Sequence, residues 1–191
     1  VLSLESLNTL KEEDFKKMGQ EYINKLKQIS NNSKLVTDKL PVNFKWIGLI
    51  KLILPNSKII HCIRGANDNC FSIFKNYFAG SELKFAYNLN EITNYYNLYF
   101  DLMNHWKVMF PNFVLDIKYE DIIYDYRSQV ENLLKFCNLD WNENCLKFYN
   151  NKRPVKTASD TQIRKKIYKT SINYWKYFEK YLKNSFEILP N

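Results

Sequence analysis

The sequence has little glycine, few histidines and no long apolar run. Only 4 of its 191 residues are glycine and only 2 are histidine. Scarce glycine disfavours an all-β barrel, which needs many tight turns, and favours long helices. No run of about 18 apolar residues occurs, so the sequence predicts no transmembrane helix. The first ten residues, VLSLESLNTL, also lack the order of basic, apolar and small residues that marks a signal peptide.

The four cysteines lack the spacing of a metal site. No C-x-x-C pair occurs among Cys62, Cys70, Cys137 and Cys145, and no histidine cluster lies near them. Each stands in an apolar context, where a cysteine behaves as a small hydrophobic residue. We therefore expect free thiols, no metal ion and a reducing compartment, which makes the cytoplasm the expected location.

Aromatic and basic residues are plentiful instead. The chain has 14 tyrosines, 13 phenylalanines and 4 tryptophans, and its 28 lysines and arginines exceed its 20 acidic residues by 8 charges. A basic balance favours an anionic ligand or partner, without deciding between a nucleotide, a nucleic acid and a membrane. A chain of 191 residues is long enough for one domain with a substantial core, and we predict a single domain over residues 1–191.

Segments with helical periodicity alternate along the chain with short runs that are typical of strands. This order predicts an α/β fold in which a parallel sheet with right-handed crossovers is flanked by helices. Residues 79–88 are expected to form an irregular loop, and Asn88 with Glu91 resembles a capping pair for the next helix. The predicted strands are 34–37, 59–63 and 113–119, and the predicted helices are 1–33, 41–54, 68–78, 89–110, 126–137, 142–149 and 172–182.

Arg64 and Ser72 are the first candidates for a ligand site. Arg64 directly follows the apolar run 59–63, and ligands of open α/β sheets bind at the carboxyl ends of the strands. If Ser72 lies in the early turns of the next helix, both side chains can converge on one phosphate near the positive end of that helix. The alternative is that Arg64 pairs with a carboxylate such as Asp68 and that Ser72 is an ordinary helix residue.

Lys39 and Tyr119 follow the other two predicted strands in the same way. A lysine at this edge can stabilise charge that develops on a transferred group, but a lysine on a solvated loop that pairs with Asp38 is the more common interpretation of Lys39 taken in isolation. Tyr119, which precedes Glu120 and Asp121, can stack on a base or hydrogen-bond a phosphate, but core packing is the commoner fate of such a ring.

The segment 152–169 is basic and has no clear periodicity. It mixes lysines and arginines with hydroxyl side chains and an amide, which is the chemistry of a loop that closes over a polyphosphate. A solvated basic surface is the alternative interpretation.

Four blocks in this order resemble the sulfotransferase superfamily. They read TDKLPVNFKWIGLI, then PNSKIIHCIRGANDNCFSIFKNYF, then IKYEDIIYD with LLKFCNLDW, and finally VKTASDTQIRKKIY with SINYWKYFEKYL. The chain is most similar to the bacterial sulfotransferase domains that often follow tetratricopeptide repeats and that are related to tyrosylprotein sulfotransferases.

The resemblance implies a three-layer fold like that of P-loop nucleotide kinases and a nucleotide sulfate donor, 3'-phosphoadenosine 5'-phosphosulfate. The sulfuryl group would pass to a hydroxyl or amine acceptor that the sequence does not identify, and no nucleic-acid partner is expected. By the same resemblance, Arg64 and Ser72 hold the 3'-phosphate and Tyr119 lies near the nucleotide. Lys39 corresponds to a lysine that stabilises the transferring group. The residues expected to lie over the donor are Ser159, which would act in catalysis, and Gln162, with Arg164 and Lys165 as neighbours.

Two departures from the family pattern bear on activity. The family usually has Arg-Asp-Pro where this chain has Arg64-Gly65-Ala66, so we expect a looser turn here. The Gly-rich loop GxPRSGT, which holds the 5'-phosphosulfate, does not occur in these 191 residues, and the chain does not begin with methionine. We therefore expect the C-terminal three-quarters of a sulfotransferase domain, inactive or impaired by itself and without the acidic general base. The alternative is a non-catalytic module that binds polyanions or nucleotides.

Overall fold

The computed structural model describes residues 8–78, 81–151, 167 and 169–190. The described residues form two compact units. The first unit contains the residues up to Ser57 together with Leu102–Met109, and the second contains Lys58–Asp101 and the residues from Phe110 onward. Within the described ranges, no helix is both long and apolar enough to cross a bilayer.

Seven α-helices and two strands can be numbered along the described residues, with four 3-10 helices between them. In chain order the elements are α1 (Glu12–Ile29), a 3-10 helix (Pro41–Trp46), α2 (Ile47–Ile53), β1 (Ile59–Ile63), α3 (Ala66–Phe74), a 3-10 helix (Ser81–Tyr87), α4 (Leu89–Met109), β2 (Val114–Lys118), α5 (Tyr119–Tyr124), α6 (Tyr126–Phe136), two 3-10 helices (Glu143–Asn150 and Tyr174–Phe178) and α7 (Glu179–Phe186).

The first unit is built on close contacts at two glycines. A Cβ atom on Gly19 of α1 would lie 1.9 Å from the carbonyl oxygen of Ile53 at the end of α2, so only glycine allows this approach. A Cβ atom on Gly48 would lie 2.8 Å from the ring of Trp106, whose Nε1 donates a hydrogen bond to the carbonyl of Phe44 at 2.8 Å. These contacts fasten the 3-10 helix and α2 within the unit.

The predicted strand at residues 34–37 is wrong, because the structure assigns no strand to residues 34–40. Leu35 and Val36 are exposed, with 67% and 40% of their surface accessible. Strand-forming residues without a partner strand or a buried face gain little from an extended pairing geometry. The helix predicted from Pro41 begins there as expected, but its first six residues form a 3-10 helix.

Among its described residues, the second unit contains a parallel sheet of two strands, β1 and β2, whereas three strands were predicted for the chain. Ile59 lies opposite Val114, and the register continues to Ile63 opposite Lys118. The sheet and the surrounding helices form a mixed, helix-rich arrangement that agrees with the predicted α/β class. The buried core of this unit consists of Cys70, Phe71, Ile92, Tyr96, Leu182, Phe186 and Leu189.

His61 connects the sheet to α4. It lies opposite Asp116 in the register, and its Nδ1 is 2.8 Å from Oδ1 of that carboxylate. Its Nε2 hydrogen-bonds the hydroxyl group of Tyr99. Burial is the main cause that raises the pKa of Tyr99, so the phenol stays protonated and remains available as a donor. The two strands and the long helix are thereby held together by a polar contact at mid-sheet.

The ends of the helices in this unit differ in part from the prediction. α3 ends at Phe74 and not near residue 78, and the expected loop 79–88 contains the 3-10 helix Ser81–Tyr87, with a kink at Leu83. The capping prediction at Asn88 is confirmed, because its Oδ1 accepts hydrogen bonds from the backbone N–H groups of Asn90 at 2.9 Å and Glu91 at 3.2 Å.

Candidate functional site

The carboxyl ends of β1 and β2 bring two of the predicted site residues together. The strands are parallel and in register up to Ile63 and Lys118, so Arg64 and Tyr119 leave the sheet side by side. The guanidinium carbon of Arg64 lies 5.5 Å from the centre of the Tyr119 ring, which is the distance of a cation–π contact. The expectation that these residues meet at one sheet edge is therefore met.

Ser171 joins this pair from a distant part of the chain. Nη2 of Arg64 donates a hydrogen bond to the Ser171 carbonyl at 2.6 Å, and the Ser171 Oγ lies 2.8 Å from the Tyr119 hydroxyl. Within the described residues, Nε of Arg64 is buried and has no hydrogen-bond partner. The guanidinium is thus held by one carbonyl and one ring, and its buried Nε–H donor is not used.

The turn that follows Arg64 is fastened by an acidic side chain. The backbone N–H of Gly65 donates to Oε1 of Glu120 at 2.9 Å, and the Gly65 carbonyl accepts from the N–H of Asn69 at 2.9 Å. Gly65 has a φ of −46°, which any residue can adopt. Glu120 thus restrains the turn at Gly65.

Asp68 makes a second connection between α3 and the segment that contains Ser171. Only 5% of its surface is exposed. Its Oδ2 accepts a hydrogen bond from the backbone N–H of Asn173 at 2.6 Å, and its Oδ1 accepts from that of Trp175 at 3.3 Å. The alternative pairing of Arg64 with Asp68 is not found among the described ion pairs.

Ser72 lies in the last turn of α3, and the expectation that it occupies the early turns is wrong. The helix is short because it begins at Ala66 and ends at Phe74, so the seventh of its nine residues is already near its end. Ser72 is partly exposed and follows Asp68 by four residues, which places both on the same face of the helix. Its carbonyl accepts a hydrogen bond from Asn76 Nδ2 at 2.7 Å.

Lys39 belongs to the first unit and its side chain is exposed. The neighbouring carboxylate of Asp38 accepts a hydrogen bond from the Tyr22 hydroxyl at 2.5 Å. Burial, and then this hydrogen bond, raise the pKa of Tyr22 to about 12. The predicted pairing of Lys39 with Asp38 does not occur among the described ion pairs, so the carboxylate is engaged by Tyr22 instead.

The remaining predicted site residues lie outside the described part of the chain. This applies to Ser159, Gln162, Arg164 and Lys165. Close to the end of the basic segment, Lys169 is described, and its Nζ lies 5.1 Å from the centre of the Tyr124 ring on α5.

Three residues with clear contacts at this sheet edge were not predicted as site residues, namely Asp68, Glu120 and Ser171. Glu120 had a signal in the sequence, because an acidic residue directly after a strand can accept from the amide groups of a neighbouring turn. The carboxylate of Asp68 accepts from the backbone N–H of Asn173, and the backbone carbonyl of Ser171 accepts from Arg64. The two residues of each pair are more than 100 positions apart in the sequence. A backbone partner leaves no signature in residue type, so the sequence pattern does not reveal these contacts.

Comparisons with known proteins agree with the resemblance found in the sequence. The profile of the "Sulfotransferase family" matches residues 5–143. An "Uncharacterized protein" of Aquifex aeolicus (strain VF5) is 36% identical over 176 residues. That match covers 91% of this chain and 23% of the relative, so the chain spans about a quarter of the length of the curated protein it matches. The matched range of the family includes Lys39, Arg64, Ser72 and Tyr119, but not residues 144–191.

Proposed function

Because the chain belongs to the sulfotransferase family, we propose that it binds the nucleotide sulfate donor 3'-phosphoadenosine 5'-phosphosulfate at the edge formed by Arg64 and Tyr119. In this proposal Arg64 and Ser72 hold the 3'-phosphate and Tyr119 lies beside the nucleotide. The bound donor supplies the activated sulfuryl group, and the chain supplies the residues that position it.

The buried, unpartnered Nε of Arg64 is the observation that carries this proposal. A buried N–H donor without a partner costs about 1–3 kcal/mol, and a guanidinium presents its donors in a fork that matches a phosphate. An anion that accepts from Nε and Nη2 together removes this cost, whereas the single carbonyl of Ser171 satisfies only Nη2. The residues present therefore fit a phosphate group.

The surrounding charges are compatible with an anion because both nearby carboxylates are already engaged. Asp68 accepts from the backbone N–H groups of Asn173 and Trp175, and Glu120 accepts from that of Gly65. Amide groups that donate to a carboxylate offset part of its negative charge. The cation–π contact with Tyr119 leaves the charge of Arg64 unneutralised and able to attract a phosphate.

Transfer itself is proposed to depend on positioning and on charge stabilisation, as in phosphoryl transfer. Lys39 would stabilise the charge that develops on the transferring group, and Ser159 would contact it. Gln162, Arg164 and Lys165 would complete the donor site. The acceptor is a hydroxyl or an amine, and we propose that these 191 residues bind the nucleotide but transfer slowly, because the GxPRSGT loop is not among them.

Isothermal titration calorimetry with adenosine 3',5'-bisphosphate tests the nucleotide site. The 191-residue chain should bind this nucleotide, which is what remains of the donor after its sulfuryl group is transferred, and Arg64→Ala should reduce its affinity by at least about tenfold, because one charge-assisted hydrogen bond contributes roughly 1.5–3 kcal/mol. Ser72→Ala should weaken binding by a smaller factor. Adenosine 5'-monophosphate, which lacks the 3'-phosphate, should be insensitive to both substitutions.

Arg127→Ala is the matched control for the loss of one arginine. Arg127 lies on the surface of α6, and its described partners are Glu131, Glu143 and Trp141. This variant should bind adenosine 3',5'-bisphosphate like the wild type. Equal losses in Arg64→Ala and Arg127→Ala would indicate general attraction by basic charge and would exclude a specific 3'-phosphate site at Arg64.

A further inference from the structure

The stretch 171–175 is held to the start of α3 from two sides. Arg64, just before the helix, donates to the carbonyl of Ser171, and Asp68, in the first turn, accepts from the N–H groups of Asn173 and Trp175. A third contact joins Ser171 to the hydroxyl of Tyr119. The same short stretch therefore contacts Arg64 and Tyr119 of the proposed nucleotide site and the buried carboxylate of Asp68.

Asp68 provides the fixed point of this arrangement. Asn173 has a left-handed conformation with a φ of 58° and precedes the 3-10 helix Tyr174–Phe178, but its own side chain does not cap that helix. The carboxylate of Asp68, which belongs to α3, caps this helix instead. It accepts from the N–H groups of Asn173, the residue before the helix, and of Trp175, its second residue. A buried carboxylate with two backbone donors is a strong and directional anchor.

The anchor fixes the position of the Ser171 carbonyl, and that carbonyl is the hydrogen-bond acceptor that holds the Arg64 guanidinium in the described structure. Arginine has four side-chain torsions, so a guanidinium without such a constraint occupies many rotamers and loses entropy when it binds an anion. Because Ser72 lies one helical turn after Asp68 on the same face, the anchored stretch also borders the face that carries Ser72.

We propose that Asp68 is a positioning residue of the anion site: it anchors residues 171–175 on α3 and thereby holds Arg64 in the orientation that receives the 3'-phosphate. This inference rests on the proposed nucleotide site and adds to it a residue that does not touch the ligand. Its main effect on binding is exerted through Arg64, by way of the Ser171 carbonyl.

Asp68→Asn is the test variant because it keeps the shape of the side chain and removes one of the two acceptor oxygens. The Kd of adenosine 3',5'-bisphosphate should rise about tenfold, which is the loss expected when one charge-assisted hydrogen bond is misaligned. The Kd of adenosine 5'-monophosphate should stay within about twofold, since Arg64 does not contact the 5'-phosphate in this proposal.

A spectroscopic measurement follows Arg64 directly. The buried Nε–H of Arg64 should give a slowly exchanging resonance in ¹⁵N-correlated NMR spectra, and Asp68→Asn should shift this resonance and speed its exchange with water. Phe113→Leu is the control, because Phe113 is buried in the same unit and directly precedes β2, at the opposite end of that strand from Tyr119. It should lower the stability but leave the Arg64 resonance and the ratio of the two nucleotide affinities unchanged.

The outcomes separate the two proposals. An unchanged Arg64 resonance in Asp68→Asn would overturn the positioning role, and so would an equal weakening of both nucleotides. A wild-type chain that does not prefer the bisphosphate over the monophosphate would overturn the 3'-phosphate site instead. In that case the shift of the Arg64 resonance alone decides whether Asp68 positions the guanidinium.

Discussion

Cys70 shows how the core of the second unit affects its stability at high pH. The residue is fully buried, and burial raises the pKa of its thiol from an ordinary 9.0 to about 12. Tyr96, packed in the same core, has a pKa raised to about 12, first by burial and then by the neighbouring Cys70 and Glu120. Both groups are therefore kept neutral by the fold over a pH range in which the unfolded chain ionises.

This difference predicts that the second unit loses stability as the pH rises from about 9 to about 12. In that range the unfolded chain releases the thiol proton while the folded chain retains it, so each such group lowers the free energy of unfolding by up to about 1.4 kcal/mol per pH unit. Below pH 9 the thiol is protonated in both states, and its contribution is constant. Urea denaturation at several pH values measures the slope.

Cys70→Ala should flatten this slope, because it removes one of the groups in this unit whose pKa the fold raises. The substitution also lowers the stability at neutral pH by about 1 kcal/mol through a small cavity, but that offset does not depend on pH. Cys137→Ala, which removes a partly exposed cysteine at the end of α6, is the control and should keep the slope of the wild type. A slope that is the same in Cys70→Ala and in the wild type contradicts the prediction.

Strands with a partner strand could be predicted from the sequence, whereas the run without a partner was predicted wrongly. The runs 59–63 and 113–119 both contain strands, and these two strands pair with each other. The run 34–37 has similar residue types but exposed side chains, and it forms no strand. Residue type is therefore a guide to strands only where the fold provides a partner.

The candidate site likewise contains one contact that the sequence predicts and one that it does not. The neighbouring ends of two parallel strands predict that Arg64 and Tyr119 meet, and they do. The partner of Asp68 was not predictable, because a nearby arginine is a more obvious choice than two backbone amides more than 100 residues away. Long-range contacts to backbone atoms depend on the tertiary structure and are invisible in the pattern of residue types.

The approach of α1 to α2 gives a prediction at the scale of elements. Gly19→Ala places a methyl group 1.9 Å from the carbonyl oxygen of Ile53, and backbone atoms on both sides must shift to accept it. Overpacking of this kind costs about 1–3 kcal/mol or more, which exceeds the gain of about 0.5–1 kcal/mol that alanine normally brings to a helix interior. The free energy of unfolding should fall by at least about 1 kcal/mol.

Gly65→Ala is the matched control for the same chemical change. Its Cβ atom would meet only Glu120 Oε1, at an ordinary contact distance of 3.5 Å, and the backbone conformation suits any residue. The stability of this variant should stay within about 1 kcal/mol of the wild type. If Gly19→Ala is as stable as Gly65→Ala, α1 and α2 do not approach as closely as described.

At the scale of the whole molecule, the net charge of +8 attracts anionic ligands to many basic side chains besides the specific site. A long polyanion contacts many lysines and arginines at once, and each contacted phosphate adds roughly 0.7–0.9 to the slope of log K against log salt concentration. The chain should therefore bind inorganic polyphosphate with a steep salt dependence. Adenosine 3',5'-bisphosphate engages few charges and should show a much shallower slope.

Arg64→Ala distinguishes these two kinds of binding when both ligands are titrated between about 50 and 200 mM salt. The variant should lose its affinity for the nucleotide but keep its affinity for polyphosphate. The salt slope for polyphosphate should fall by no more than the share of about one phosphate contact. The reason is that Arg64 is one positive charge among 28, whereas it is the only guanidinium that the described structure brings to the edge of β1 and β2. A nucleotide slope as steep as that of polyphosphate, with both ligands equally indifferent to Arg64→Ala, would instead favour a module that binds polyanions through its overall charge.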